Sequence, residues 1–190
     1  YAAELGCDLE LVEIDLRGGE NRQADYLARN PSGQLPALEL VSGEIIAEVT
    51  AICEYLDEHA SISLIGDNAT ERAQTRMWTR RVDLAICEPL LNGFRYSEGL
   101  PLFQDRMITV PEAAPGLKRV AQDRLAWLNE QLADGREFIV GSRFSLADVF
   151  LYCMLAFGNR MGQPIDPAHT HVQGWFDRME ARGSAKAWRV

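Results

Sequence analysis

Cysteines, histidines and a proline-bounded turn are the groups in this chain with chemical latitude. Cys7, Cys53, Cys87 and Cys153 are widely separated, with no CxxC pair and no histidine nearby at metal-ligand spacing. They read as reduced, mostly buried thiols, and no metal is expected. Cys7 resembles a nucleophile in composition only, because it follows a helix instead of opening one, and a helix N-terminus is where a thiolate is stabilised. His169 and His171 read as surface residues of a loop without further ligands. The turn in NPSGQLPALEL, residues 30–40, is more informative. Pro36 has no backbone N–H, so the apolar run behind it lacks a ladder bond at its start and belongs at a sheet edge. Exposed main chain is what such a turn offers a ligand.

The bulk numbers narrow the partners. The 190 residues are 47% apolar and 25% charged, an ordinary globular composition with no sign of disorder. Nineteen basic against 28 acidic residues give a net charge of −9, which argues against phosphate-backbone binding, so nucleic acid is not an expected partner. No apolar run approaches the roughly 20 residues of a membrane span, and no signal peptide is visible. Dispersed unpaired cysteines fit a cytoplasmic protein.

These groups need elements to hold them. YAAELG reads as the last turns of a helix closing on Gly6, and LELVEIDL (9–16) places Val12, Ile14 and Leu16 on one face of a half-buried strand. A helix feeding a strand suggests the second half of a βαβ unit whose first strand lies before Tyr1. A short helix is expected around Asp25–Arg29, ended by Asn30-Pro31. ALEL and EII then flank Val41-Ser42-Gly43 as a hairpin, and a helix follows with Ala51, Ile52, Tyr55 and Leu56 on its packing stripe.

Beyond the polar connector SISLIGDNA no strand pattern appears. Asn68 and Glu71 form a capping box opening a long helix that Pro89 kinks or ends. A second long helix starts near Pro111, carries Leu117, Val120, Ala121, Leu125, Leu128 and Leu132, and closes at Gly135. Ser145 and Asp148 have the S-x-x-D spacing of another capping box, opening a helix apolar nearly all round and therefore central. A shorter helix carries Trp175, Phe176 and Met179. The expected domains are 1–60, a linker over 61–70, and an all-helical 71–190.

Together, NPSGQLPALEL, EVTAICEYLDE one hairpin later, and GSRFSLADVFLY within an all-helical half resemble the soluble glutathione transferase family over essentially the whole chain. The resemblance implies an α+β fold: an N-terminal thioredoxin-like βαβ-ββα domain, its first strand outside this chain, followed by an all-α bundle. It implies a cis Leu35–Pro36 bond that turns the Leu35 N–H and C=O outward to pair with the cysteinyl backbone of glutathione. Gln34 would meet the glycyl end. Glu48 and Val49 occupy the family's Glu-Ser position, where a helix N-terminus holds the γ-glutamyl carboxylate. Val49 departs from that pattern and removes a hydroxyl that Thr50, one place on, does not replace.

The family's reactive Ser, Cys or Tyr falls before Tyr1, so the resemblance assigns no catalytic residue here. Glu88, Asn92 and Tyr96, four apart, are expected to line the second-substrate site. The basic stretch RMWTRRVD reads as a solvated or dimer-facing surface. The implied activity is transfer of glutathione, as co-substrate, to a small electrophile in detoxification, by a cytoplasmic homodimer. Two alternatives stand beside it: a non-catalytic binding or regulatory protein of this fold, and a glutathione-dependent isomerase or thiol reductase.

Overall fold

A computed structural model describes residues 1–187. The chain divides into two units, Tyr1–Ser63 and the residues from Leu64 onward.

In the first unit, α1 (Ala2–Leu5) ends on Gly6 in the left-handed region. A 3-10 turn, Glu20–Arg22, leads into α2 (Ala24–Arg29). β1 (Ala37–Glu39) and β2 (Ile45–Ala47) then form an antiparallel hairpin with Ala37 opposite Ala47. Gly43, at φ 86, takes the conformation the reversal needs. Following the hairpin, α3 (Val49–His59) buries Ile52, Cys53 and Leu56. Ala51, expected on that stripe, is exposed, because the buried face is centred one residue further along. At the far end of α3, Asp57 is buried and accepts from the Tyr1 hydroxyl at 2.7 Å and the Ser63 hydroxyl at 2.6 Å. Burial, then the bond to Asp57, pushes the Tyr1 phenol well above its ordinary range.

The strand expected over 9–16 is not formed. The sheet among the described residues consists of two later strands and does not include this segment, and Leu11 and Val12 stand 85% and 76% exposed. Alternation specifies which face a strand would bury, but a strand exists only where a neighbour takes up its hydrogen bonds.

The second unit is helical. α4 (Ala69–Val82) is capped by Asn68, whose side chain accepts the Glu71 N–H at 3.0 Å. Glu71 completes the start differently from the expected box, accepting instead from the N–H of Asp67 at 2.9 Å. Asp83–Cys87 forms a π turn that passes into α5 (Glu88–Arg95). Pro89 accounts for the break, since it has no N–H for the carbonyl four residues back. α6 (Leu100–Phe103) is short, and Phe94 packs edge-on against Phe103 and Phe157.

A 3-10 turn at Pro111–Ala113 opens α7 (Ala114–Leu132), which buries Ala121, Leu125, Leu128 and Leu132. Val120, on the same helix, is 47% exposed, lying one position outside the buried arc. α8 (Leu146–Arg160) crosses the core, with Leu151 and Leu155 buried. Its one exposed residue between Leu146 and Gly158 is Cys153; of the thiols expected to be mostly buried, Cys53 and Cys87 are buried and Cys7 is half-buried. α9 (Thr170–Glu180) buries Val172, Trp175, Phe176 and Met179.

Asp148 joins these elements. It is wholly buried and accepts four hydrogen bonds: from the Ser145 N–H and hydroxyl, both at 3.0 Å, from the Ile139 N–H at 2.8 Å, and from the Trp175 indole at 2.9 Å. Burial pushes its carboxyl up, against the pull of those donors. The S-x-x-D pair thus opens α8 and also fastens the preceding loop and α9 to it. Among the described residues, no helix is long and apolar enough to cross a membrane.

Candidate active site

The hairpin register sets the geometry in the first unit. With Ala37 opposite Ala47, Pro36 and Glu48 fall at the same end of the sheet, which brings the Gln34-Leu35-Pro36 turn beside the start of α3. The Leu35–Pro36 peptide is cis. Leu35 is 39% exposed, and among the described residues its N–H and C=O pair with no other backbone group.

Glu48 stands at the N-cap of α3 with φ 67 and ψ 119, the one positive φ among the described non-glycine residues. A backbone held there costs about 1–3 kcal/mol, and such positions cluster at ligand sites. The Glu48 carbonyl accepts the first helical bond, from the Ile52 N–H at 3.0 Å. Its side chain makes no capping bond, so the N–H groups of Val49, Thr50 and Ala51 begin the helix without a side-chain cap. Aligned peptide dipoles and unpaired donors at a helix start favour an anion. Val49, half-buried, brings no hydroxyl.

Beneath the turn lies a polar knot. Asn21 and Asn30 are buried. Asn21 Nδ2 donates to the Gly33 carbonyl at 2.6 Å, and Asn30 Nδ2 to the Gln34 carbonyl at 2.9 Å. The Tyr26 hydroxyl donates to the same Gln34 carbonyl at 2.8 Å. Gly33 is needed for two reasons: its φ is 64, and a Cβ there would lie 3.1 Å from the Asn21 carbonyl oxygen. Of these residues, the sequence pointed to Gln34 alone. Tyr26 and Asn21 escape notice because spacing along the chain does not reveal that α2 and the preceding turn fold under residues 33–34.

In the second unit, Glu88, Asn92 and Tyr96 are all half-buried on α5 or its cap. Asn92 Nδ2 donates to Glu88 Oε2 at 3.2 Å, and Arg95, which sequence reasoning passed over, donates to Asn92 Oδ1 at 3.0 Å. Tyr96 meets Asn92 through its backbone, its N–H donating to the Asn92 carbonyl at 3.0 Å. Burial, then the Glu88 carboxylate, raises the Asp83 carboxyl above its ordinary value, with Arg80 opposing. Burial likewise raises the Cys87 thiol, helped by Asp83 and Glu88, so it stays protonated and unreactive.

His169 is the N-cap residue of α9 and His171 lies in its first turn, where a loop was expected. His171 is exposed, while His169 is half-buried. Among the described residues, no group of three or more His, Cys, Asp or Glu is placed to hold a metal ion.

Comparison with known proteins extends these observations. Residues 1–59 match the family described as "Glutathione S-transferase, N-terminal domain", and residues 111–178 match "Glutathione S-transferase, C-terminal domain". The glutathione S-transferase GstA of Escherichia coli O157:H7 is 32% identical over 182 residues, 94% of this chain and 84% of the relative. Glutathione S-transferase 2 of Saccharomyces cerevisiae is 28% identical over 94% of this chain and 76% of its own length. A glutathione S-transferase domain-containing protein of Marinobacter aquaeolei superposes with a TM-score of 0.90 at 35% identity, covering 96% of this chain and 90% of that one. The fold is therefore a thioredoxin-like unit followed by a helical bundle. Matched in both of its units and along nearly all of its length, the chain belongs to the glutathione S-transferase family.

Proposed function

We propose that this protein is a glutathione transferase: it binds glutathione in its first unit and joins the glutathione sulfur to a small electrophile. The observation that carries the binding half is the shared end of the hairpin, where the Leu35 main chain and the first turn of α3 are neighbours. Leu35 offers one donor and one acceptor, the complement of a peptide backbone laid along a sheet edge. The start of α3 suits the γ-glutamyl carboxylate, with Glu48 and the Val49 N–H beside it, and Gln34 lies nearest the glycyl end. Pro36 shapes the turn.

Catalysis then rests on holding the thiol as thiolate by donors aimed at the sulfur, and on holding the electrophile close to it. For the electrophile we assign the Glu88, Asn92 and Tyr96 face of α5, where hydrogen-bonded polar groups supply orientation. No metal enters the scheme. A homodimer is part of the same reading, and sedimentation at the mass of a single chain would count against it.

The test pairs retention on immobilised glutathione with turnover of a chlorodinitrobenzene. Retention with turnover is expected. Val49 favours a second reading, a non-catalytic binder, because the γ-glutamyl site lacks its hydroxyl; retention without turnover would select that reading.

A further inference from the structure

We infer that Tyr26 and Asn30 are positioning residues for glutathione, which aim the Leu35 N–H by gripping the carbonyl on the other side of the same peptide group. This rests on the glutathione-binding reading above and adds to it the residues that set the docking edge.

The Gln34–Leu35 peptide is trans, so its C=O and N–H lie in one plane and point in opposite directions. The Gln34 carbonyl oxygen uses both acceptor positions on the α2 side, taking the Tyr26 hydroxyl at 2.8 Å and Asn30 Nδ2 at 2.9 Å. With the oxygen fixed toward α2, the Leu35 N–H is directed away from it. Two further bonds restrict rotation of the peptides before it. Asn21 Nδ2 holds the Gly33 carbonyl at 2.6 Å, and the Asn30 carbonyl takes the Gly33 N–H at 2.9 Å. Asn30 is itself oriented, because its Oδ1 accepts from the Ser32 hydroxyl at 2.8 Å. That bond leaves Nδ2 as the group facing Gln34.

The consequence is preorganisation. A donor already aimed at its acceptor loses little freedom when the ligand arrives, and the saving appears as affinity. Neither Tyr26 nor Asn30 needs to touch glutathione for this to hold.

The experiment uses the full chain and compares wild type with Tyr26→Phe, Asn30→Ala and the double variant. Glutathione affinity is read by calorimetry, steady-state constants with glutathione and the electrophile varied in turn, and the Leu35 amide by NMR without ligand. The expected result is a dissociation constant raised about threefold in Tyr26→Phe and about tenfold in the double variant, the latter equal to about 1.4 kcal/mol. KM for glutathione should rise in step, with kcat at saturating glutathione and KM for the electrophile within about twofold of wild type. The Leu35 amide resonance should move in all three variants. A residue acting only on stability would lower the melting temperature and leave all these readings in place.

An unchanged dissociation constant in the folded double variant overturns this inference alone. Should the double variant fail to fold, Tyr26→Phe, which keeps the ring, decides it on the same reading. A wild-type chain that does not bind glutathione overturns the proposed function and this inference with it.

Discussion

Trp175 donates its indole N–H to Asp148 at 2.9 Å, so the start of α8 and the middle of α9 share one buried carboxylate. Three more donor bonds converge on the same side chain. Removing the acceptor would strand the donors in a dry core, where each unsatisfied group costs about 1–3 kcal/mol. Asp148→Ala should therefore destabilise the protein by about 3–5 kcal/mol, and Trp175→Phe, which removes a donor, by less. Urea unfolding of the two variants checks the order.

Close packing gives a second expectation. A Cβ at Gly158 would lie 2.8 Å from Leu90 Cδ1 and 3.1 Å from the Gln163 carbonyl oxygen. Alanine gains about 1 kcal/mol of helix propensity over glycine, but overpacking costs about 1–3 kcal/mol. A backbone oxygen cannot swing aside, so Gly158→Ala should be destabilising. Gly116, in the first turn of α7, has nothing within 4 Å of such a Cβ, and Gly116→Ala should stabilise. Thermal midpoints of opposite sign are the expected outcome.

Restoring the hydroxyl at the first position of α3 tests the anion site. Val49→Ser should tighten glutathione binding about twentyfold, equal to about 1.8 kcal/mol and in the lower part of the range of about 1.5–3 kcal/mol for a hydrogen bond to a charged group. Calorimetry checks it. No change would mean that the γ-glutamyl carboxylate is held by main chain alone.

Asp134 supplies a pH signature. Its carboxylate accepts from the Arg136 guanidinium and then from the Arg136 N–H, which hold it at about 2 against an ordinary 3.8. A depressed folded value means that its stabilising contribution is complete above the unfolded value and is lost as pH falls toward about 2. Carboxyl NMR should find the midpoint near 2 in the wild type, and Arg136→Gln should return it toward the ordinary value.

Much of the helical unit was legible because its signals are local. Ser145 and Asp148 mark the start of α8 by spacing, and Gly135 stands just past the end of α7. The hairpin reversal at Val41-Ser42-Gly43 was equally readable. Pro89 announced a break in the helix but not its form, since the π turn depends on how the chain repacks around a missing N–H. The stretch 9–16 shows the limit of periodicity, which describes one strand and says nothing of its partner. The grip of Tyr26 on Gln34 was invisible for a related reason: it joins two segments through a tertiary contact to a backbone atom, and no side-chain pattern encodes that.

Asp148 takes its bonds from Ile139, Ser145 and Trp175 at once. Loosening any one of these segments weakens the hold on the others, so amide exchange around them should report one shared opening event and not three separate ones.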